Sequence, residues 1–282
     1  MVLSNSLPYI RAPIVAIMLF QVAALFLRSL VDGKLVDAGA DRELAKNLSY
    51  LLVVPVVEIV LFWPILRDNR HALFSLFRAP ASWRHLIIAA VSLGIAARLA
   101  GWSFIVFAAG FGVAGEVAPG LGTELMLWYS CPPLPELMIA TLVVAMLIPV
   151  GEEVINRGLI LGTLVGNESK AHVSIAVVVS ATLFAIMHEP NGMPAAFLIG
   201  LLFAVQTLRS QSLLPSIISH AAYNFMRILD WICLRIVWHP EPSVPQVQWI
   251  GAAALLVGLL MTIAACWLTL KARTGAANPS RP

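Results

Sequence analysis

The segment LPELMIATLVVAMLIPVGEEVINRG, residues 134–158, joins a long apolar run to two adjacent glutamates and an arginine. A membrane-spanning helix needs ~20 predominantly apolar residues, and 134–150 supplies most of that length before the charges begin. A charged side chain at mid-bilayer costs at least ~3 kcal/mol, so ionisable residues inside spans are candidates for function. The segment therefore predicts a membrane helix, with Glu152, Glu153 and Arg157 as candidates for a site inside it.

The whole chain has the composition of a polytopic membrane protein. Of its 282 residues, 60% are hydrophobic and only 12% are charged, whereas soluble domains are about half apolar and about a quarter charged. The net charge of +3 is small, and the basic residues lie mainly in short loops. This distribution indicates an orientation signal and excludes a nucleic-acid surface. The three cysteines lack CxxC spacing, so no disulfide framework or zinc ribbon is predicted.

The hydropathy pattern predicts an all-α bundle of about eight transmembrane helices. The apolar runs are too long and too uniform for the alternating strands of a membrane barrel. The predicted spans are 10–29, 47–66, 85–111, 134–150, 171–188, 193–209, 213–237 and 247–270. Within one membrane domain, we expect N-terminal helices over 1–133, a catalytic core over 134–230, and a C-terminal helix with a short tail over 231–282.

Charge in the loops predicts the orientation of the chain. Four arginines lie in the connection 67–84, whereas 112–133 contains no lysine or arginine. The positive-inside rule places the first of these loops in the cytoplasm, with Lys170, Arg209 and the basic residues after 270 on the same side. Both termini are then cytoplasmic, and the short loops favour a bacterial inner membrane.

Glu152, Glu153 and Arg157 form an EExxxR motif. Residues four apart share a helix face, and a glutamate N-terminal to an arginine is the favoured order, so we expect Glu153 and Arg157 to pair. Glu152 points roughly a quarter-turn away and is left available for chemistry. The alternative is that both glutamates lie at the interfacial end of the fourth span and face water.

Two further polar groups occur in later spans. Phe184-Ala-Ile-Met-His188 ends the fifth span, and His220-Ala-Ala-Tyr-Asn224 places an imidazole and a carboxamide on one face of the seventh. A carboxylate assisted by an imidazole can activate water as a general base, and a second imidazole with an amide NH₂ can stabilise an oxyanion. Taken singly, His188 also fits an interfacial residue, and the pair in the seventh span also fits hydrogen bonding between helices.

The same side chains are also compatible with two other functions, a metal site and an ion relay. Glu152, His188 and His220 could ligate zinc as a two-His-one-carboxylate set, although the chain has no HExxH motif. An ion- or proton-coupled transporter could use the same buried groups, but no internal repeat of the kind found in transporters is evident. Glu58 and Arg98 are isolated charges in the second and third spans, where they could pair with neighbouring helices or line a substrate groove.

The succession EExxxR, FxxxH and HxxxN in a polytopic chain resembles the CPBP family. This family comprises the CAAX prenyl endopeptidases and related Abi proteins, which are glutamate-type intramembrane proteases. The resemblance covers roughly 134–230, about a third of the chain. It implies an intramembrane endopeptidase that cleaves a membrane-anchored protein or peptide, prenylated proteins being one implied class, with no cofactor, no obligatory metal and no nucleic-acid partner.

The resemblance also implies a role for each polar residue. Glu152 would be the catalytic base, His188 would help to hold the attacking water, and His220 and Asn224 would form the oxyanion hole, with Glu153 and Arg157 as supporting residues. The predicted depths do not agree, because a rise of 1.5 Å per residue places His188 ~25 Å along its span but His220 only ~10 Å along its own. We therefore expect a different span boundary or a tilted fifth helix.

Overall fold

The computed structural model describes residues 7–8, 10–79, 83–109, 126–129, 133–165, 170–188, 192–228, 234–237 and 244–271. Nine helices and two strands lie within these ranges. The helices are α1 (Ile14–Asp37), α2 (Arg42–Asp68), α3 (Arg70–Leu76), α4 (Trp83–Ala109), α5 (Leu134–Val165), α6 (Lys170–Ile186), α7 (Met193–Ser210), α8 (Leu214–Ile228) and α9 (Val244–Lys271). The strands are β1 (Met126–Tyr129) and β2 (Leu234–Val237), which pair antiparallel.

Several of these helices have the length and hydropathy of membrane spans. Four pass both tests among the described residues: α1, α5, α7 and Gly251–Leu268 within α9. A fifth is α2, if Leu44–Val57 and Ile59–Asp68 form one span bent by 40°. Pro55 and Pro64 lie inside this helix, where each removes one N–H from the backbone hydrogen-bond ladder. The chain is thus an all-α integral membrane protein, as predicted.

Each of the eight predicted spans overlaps one helix, but two boundaries are wrong. Among the described residues four or five spans qualify by length and hydropathy, and helices such as α6 have a shorter apolar segment, His172–Ile186. The fourth span was predicted to end at 150, yet α5 continues to Val165. The seventh was predicted to reach 237, yet residues 234–237 form β2.

The helix that carries the glutamates contains two π-helical stretches. Thr141–Leu147 and Val154–Leu161 are π-helical, and the short α-helical stretch Ile148–Glu153 lies between them. Pro149 opens that stretch, where its missing N–H breaks the preceding hydrogen-bond ladder. Stretches of π-helix are rare in proteins and occur frequently at functional sites. Both glutamates therefore lie at a point where the backbone of α5 departs from regular geometry.

Glycine allows α4 to approach the helix that carries His220 and Asn224. A Cβ at Gly94 would collide with the Ser219 carbonyl oxygen and lie 2.8 Å from the Ala222 Cβ. The Ser219 hydroxyl also donates to the Ala90 carbonyl at 2.8 Å, which ties α8 to α4. On its other sides α8 contacts α5 and α7, so it lies inside the bundle.

The turn between α7 and α8 is buried beneath α3. Ser212 and Leu213 are 1% and 0% exposed, and the Leu213 N–H donates to the Leu76 carbonyl at 2.7 Å. The start of α8 is therefore enclosed by other parts of the protein.

Candidate active site

Glu153 is a fully buried carboxylate with two basic side chains on one oxygen. Its Oε1 lies 3.0 Å from Arg157 Nη1 and 3.0 Å from His220 Nδ1. Glu153 is 0% exposed and Arg157 is 1% exposed, so the charges compensate each other away from solvent. The i,i+4 pair predicted from the sequence is present, and the alternative in which both glutamates face water is wrong for Glu153.

Glu152 differs from its neighbour in exposure and in partners. Its side chain is 31% exposed, and its Oε2 lies 3.8 Å from His220 Nε2, which is beyond hydrogen-bonding distance. The Asn156 amide donates to the Glu152 backbone carbonyl at 2.8 Å and so satisfies a carbonyl next to the second π-helical stretch. The backbone of Glu152 is held and its side chain is partly exposed, while its Oε2 atom is buried without a hydrogen-bond partner.

His220 lies between the two carboxylates, one at each ring nitrogen. Because a carboxylate accepts hydrogen bonds, the contact with Glu153 places a proton on Nδ1. In the neutral ring Nε2 then has a lone pair, and it becomes a donor only when the imidazole is protonated. Any contribution of His220 to an oxyanion hole therefore requires the imidazolium form.

Asn224 lies one turn after His220 and is 8% exposed. Its Nδ2 donates to the Val144 carbonyl at 2.9 Å, in the first π-helical stretch of α5. A carboxamide nitrogen has two hydrogens, and this bond uses one of them. The bond therefore orients the amide against α5 and leaves its second N–H for another acceptor.

His188 reaches the site through an aromatic ring. Its Nδ1 lies 2.9 Å from the Phe184 carbonyl, which can only accept, so Nδ1 bears the proton and Nε2 the lone pair of the neutral ring. The Phe184 ring contacts the His188 ring at 4.6 Å and the His220 ring at 6.0 Å between centroids. The structure thus brings His188 to the edge of the cluster formed by the two glutamates, Arg157 and His220.

The alternative zinc set does not assemble. Within the ranges that the structure covers, no three His, Cys, Asp or Glu side chains are grouped so that they could hold a metal ion.

Other polar and aromatic residues complete the surroundings. Arg98 lies over the Tyr223 ring at 5.6 Å, on the α4 side of α8, and the Glu58 side chain lies outside the described atoms. Sequence reasoning missed Asn156, although a polar residue four positions after Glu152 in an apolar helix was a usable signal. It also missed Phe203, whose ring lies 5.3 Å from the His220 ring, because a phenylalanine in an apolar helix has no distinguishing signal.

Comparison with known families now identifies this part of the chain. Residues 134–226 match the family described as type II CAAX prenyl endopeptidase Rce1-like. The matched residues are about a third of the chain, and they are similar to this family. The match confirms the predicted family resemblance, and it lies within α5 to α8, where the Glu, His and Asn side chains converge. Comparison with curated proteins and with solved structures finds no significant match.

The similarity to the Rce1-like family indicates the class of protein. Together with the long apolar helices, it supports an integral membrane protease of the CAAX type, with a membrane-associated protein as substrate. The transporter alternative is not favoured.

Proposed function

We propose that this protein hydrolyses a peptide bond of a membrane-anchored protein or peptide, with Glu152 as the general base. The supporting observation is the asymmetry of the two glutamates. Glu153 is fully buried and bound to Arg157 and His220, whereas the Glu152 side chain is 31% exposed and lies beside His220 without a hydrogen bond to it, with 3.8 Å between its Oε2 and His220 Nε2. Of the two glutamates, Glu152 is therefore the one whose side chain solvent can reach.

In this mechanism Glu152 takes a proton from water as the water oxygen bonds to the carbonyl carbon, and the carbonyl electron pair moves to its oxygen. The intermediate collapses when the C–N bond breaks and the amine leaving group receives the proton from Glu152. The second N–H of Asn224 and the protonated ring of His220 donate to the oxyanion. His188, with its lone pair on Nε2, accepts a hydrogen bond from the water.

Glu153 and Arg157 act on this chemistry through His220. The Glu153 carboxylate accepts a hydrogen bond from His220 Nδ1 and so fixes the tautomer and orientation of the ring. Arg157 holds the Glu153 carboxylate, and its Nη2 donates to the Gly200 carbonyl at 3.3 Å, which anchors the guanidinium to α7. We propose that the reaction needs no resident metal, since no three His, Cys, Asp or Glu side chains among the described residues are grouped so that they could hold one.

The test uses purified protein in liposomes with a labelled library of membrane-anchored peptides, prenylated and unprenylated. The wild type and Glu136→Gln are expected to cleave, because Glu136 lies in the first turn of α5, far from the site. Glu152→Gln is expected to lose cleavage. Cleavage that survives Glu152→Gln would overturn the assignment of the base, and loss of wild-type cleavage with a zinc chelator would overturn the metal-free reaction.

A further inference from the structure

The guanidinium of Arg157 has aromatic partners in addition to Glu153. Its Cζ lies 4.4 Å from the centroid of the Phe184 ring and 5.6 Å from that of the Phe203 ring. Both distances fall within the ~6 Å over which the negative face of a ring attracts a cation. Phe184 and Phe203 are 3% and 0% exposed, so water does not weaken this attraction.

The same two rings also contact the imidazole of the site. Phe203 lies 5.3 Å from the His220 ring at an interplanar angle of 35°, and Phe184 lies 6.0 Å from it, edge to face, at 86°. Thus one ring from α6 and one from α7 contact both of the basic groups that bind the Glu153 Oε1 atom. We call Phe184 and Phe203 the aromatic bracket.

We propose that the aromatic bracket positions the catalytic groups by holding Arg157 and His220 in place through the electron-rich faces of its rings. This inference rests on the proposed function. Both basic groups lie 3.0 Å from the same Glu153 oxygen, so a shift of either one moves the carboxylate and turns the imidazole. The turn would change the separation of His220 Nε2 from Glu152. The bracket residues are positioning residues, since neither is a group that reacts.

Stepwise fluorination separates an electrostatic role of these rings from simple packing. Fluorine withdraws charge from the ring face and leaves the shape nearly unchanged, so mono-, di- and trifluorophenylalanine at position 184 or 203 should fold as the wild type does. We expect kcat to fall at each step, by about three- to tenfold for the trifluoro ring, while KM stays within about twofold. A ring that only fills space would leave kcat unchanged.

Phe62 provides the matched control. It is 2% exposed and packs edge to face on Phe20 at 5.5 Å, in a cluster between α1 and α2. The same fluorinated residues at position 62 should leave kcat unchanged. A fall in kcat equal to that at positions 184 and 203 would overturn the inference, because the effect would then be general.

Wild type and Glu152→Gln are assayed beside the series to separate the two proposals. Suppose that the wild type cleaves, that Glu152→Gln does not, and that fluorination at positions 184 and 203 leaves kcat unchanged. The positioning role of the aromatic bracket is then overturned, and the proposed function stands. If Glu152→Gln cleaves as the wild type does, the proposed function fails and the bracket's role in positioning fails with it. A graded fall in kcat at 184 or 203, with none at 62, supports both.

Discussion

At the scale of single residues, two adjacent glutamates of α5 have different environments. Glu153 is enclosed by Arg157 and His220, while Glu152 is partly exposed and has only a long contact with His220. The sequence alone predicted this division, because spacing on a helix determines which glutamate shares a face with Arg157. It did not reveal that His220 contacts both carboxylates, because that contact depends on how α8 packs against α5.

We expect the buried ion pair of Glu153 and Arg157 to contribute to stability. Arg157→Met leaves the Glu153 charge buried beside His220 alone, so we expect the free energy of unfolding to fall by about 3–5 kcal/mol. Denaturant unfolding in detergent micelles measures this. Arg67→Met is the matched control, because Arg67 pairs with Asp68 at 3.2 Å with both side chains more than half exposed, and such pairs contribute about 0–1 kcal/mol. Equal losses in the two variants would contradict the assignment.

We expect the carboxamide of Asn224 to contribute to the rate of peptide cleavage. Asn224→Ala removes the N–H proposed to face the oxyanion, and loss of one such donor lowers kcat by about 10²–10³-fold. Steady-state cleavage of the membrane-anchored peptide gives kcat and KM separately, and we expect KM to change little. If instead KM rises and kcat is retained, Asn224 serves substrate binding and not the transition state.

At the scale of elements, the site depends on helices with irregular geometry or unusually close packing. The two π-helical stretches of α5 lie on either side of the glutamates, and one of them supplies the Val144 carbonyl that orients Asn224. The eight helical regions could be predicted from apolar length, since hydropathy reports burial in lipid. The π-helical stretches and the buried α7–α8 turn could not, because both arise from tertiary contacts that hydropathy does not record.

The contact between α4 and α8 makes a prediction about packing. Gly94→Ala places a Cβ against the Ser219 carbonyl and the Ala222 side chain, so the two helices must separate. We expect the unfolding midpoint to fall, and peptide cleavage to fall with it, because α8 carries His220 and Asn224. At Gly33 of α1 an added Cβ meets nothing within 4 Å, so Gly33→Ala should leave the midpoint unchanged or raise it. A lower midpoint for Gly33→Ala alone would contradict this packing.

At the scale of the whole molecule, several loops meet at one end of the bundle. The Arg11 N–H donates to Asn69 Oδ1 at 3.1 Å, the Ala12 N–H donates to Thr163 Oγ1 at 3.2 Å, and Leu213 bonds to the Leu76 carbonyl. The N-terminal segment, α3, the end of α5 and the α7–α8 turn are thus neighbours. Loop charge had grouped the same regions on one side, although charge alone could not show that they touch.

This grouping makes a prediction about topology, which we propose has that end in the cytoplasm. In a chain whose three cysteines are replaced by alanine, Arg78→Cys and Ala38→Cys place single thiols at exposed positions after α3 and after α1. An impermeant maleimide applied outside intact cells should label position 38 and not position 78. Labelling of both positions from outside would contradict an α2 that crosses the membrane between them, and the reverse pattern would invert the orientation.

The central claim is that Glu152 performs chemistry while Glu153 maintains the site, and one paired measurement tests it. The kcat for peptide cleavage and the unfolding midpoint are determined for Glu152→Gln and Glu153→Gln beside the wild type. The account predicts that Glu152→Gln keeps the wild-type midpoint and loses about 10²–10⁴-fold in kcat, whereas Glu153→Gln lowers the midpoint because Arg157 is left without its counter-charge. A Glu152→Gln variant that retains wild-type kcat, while Glu153→Gln folds with an unchanged midpoint and is inactive, would contradict it.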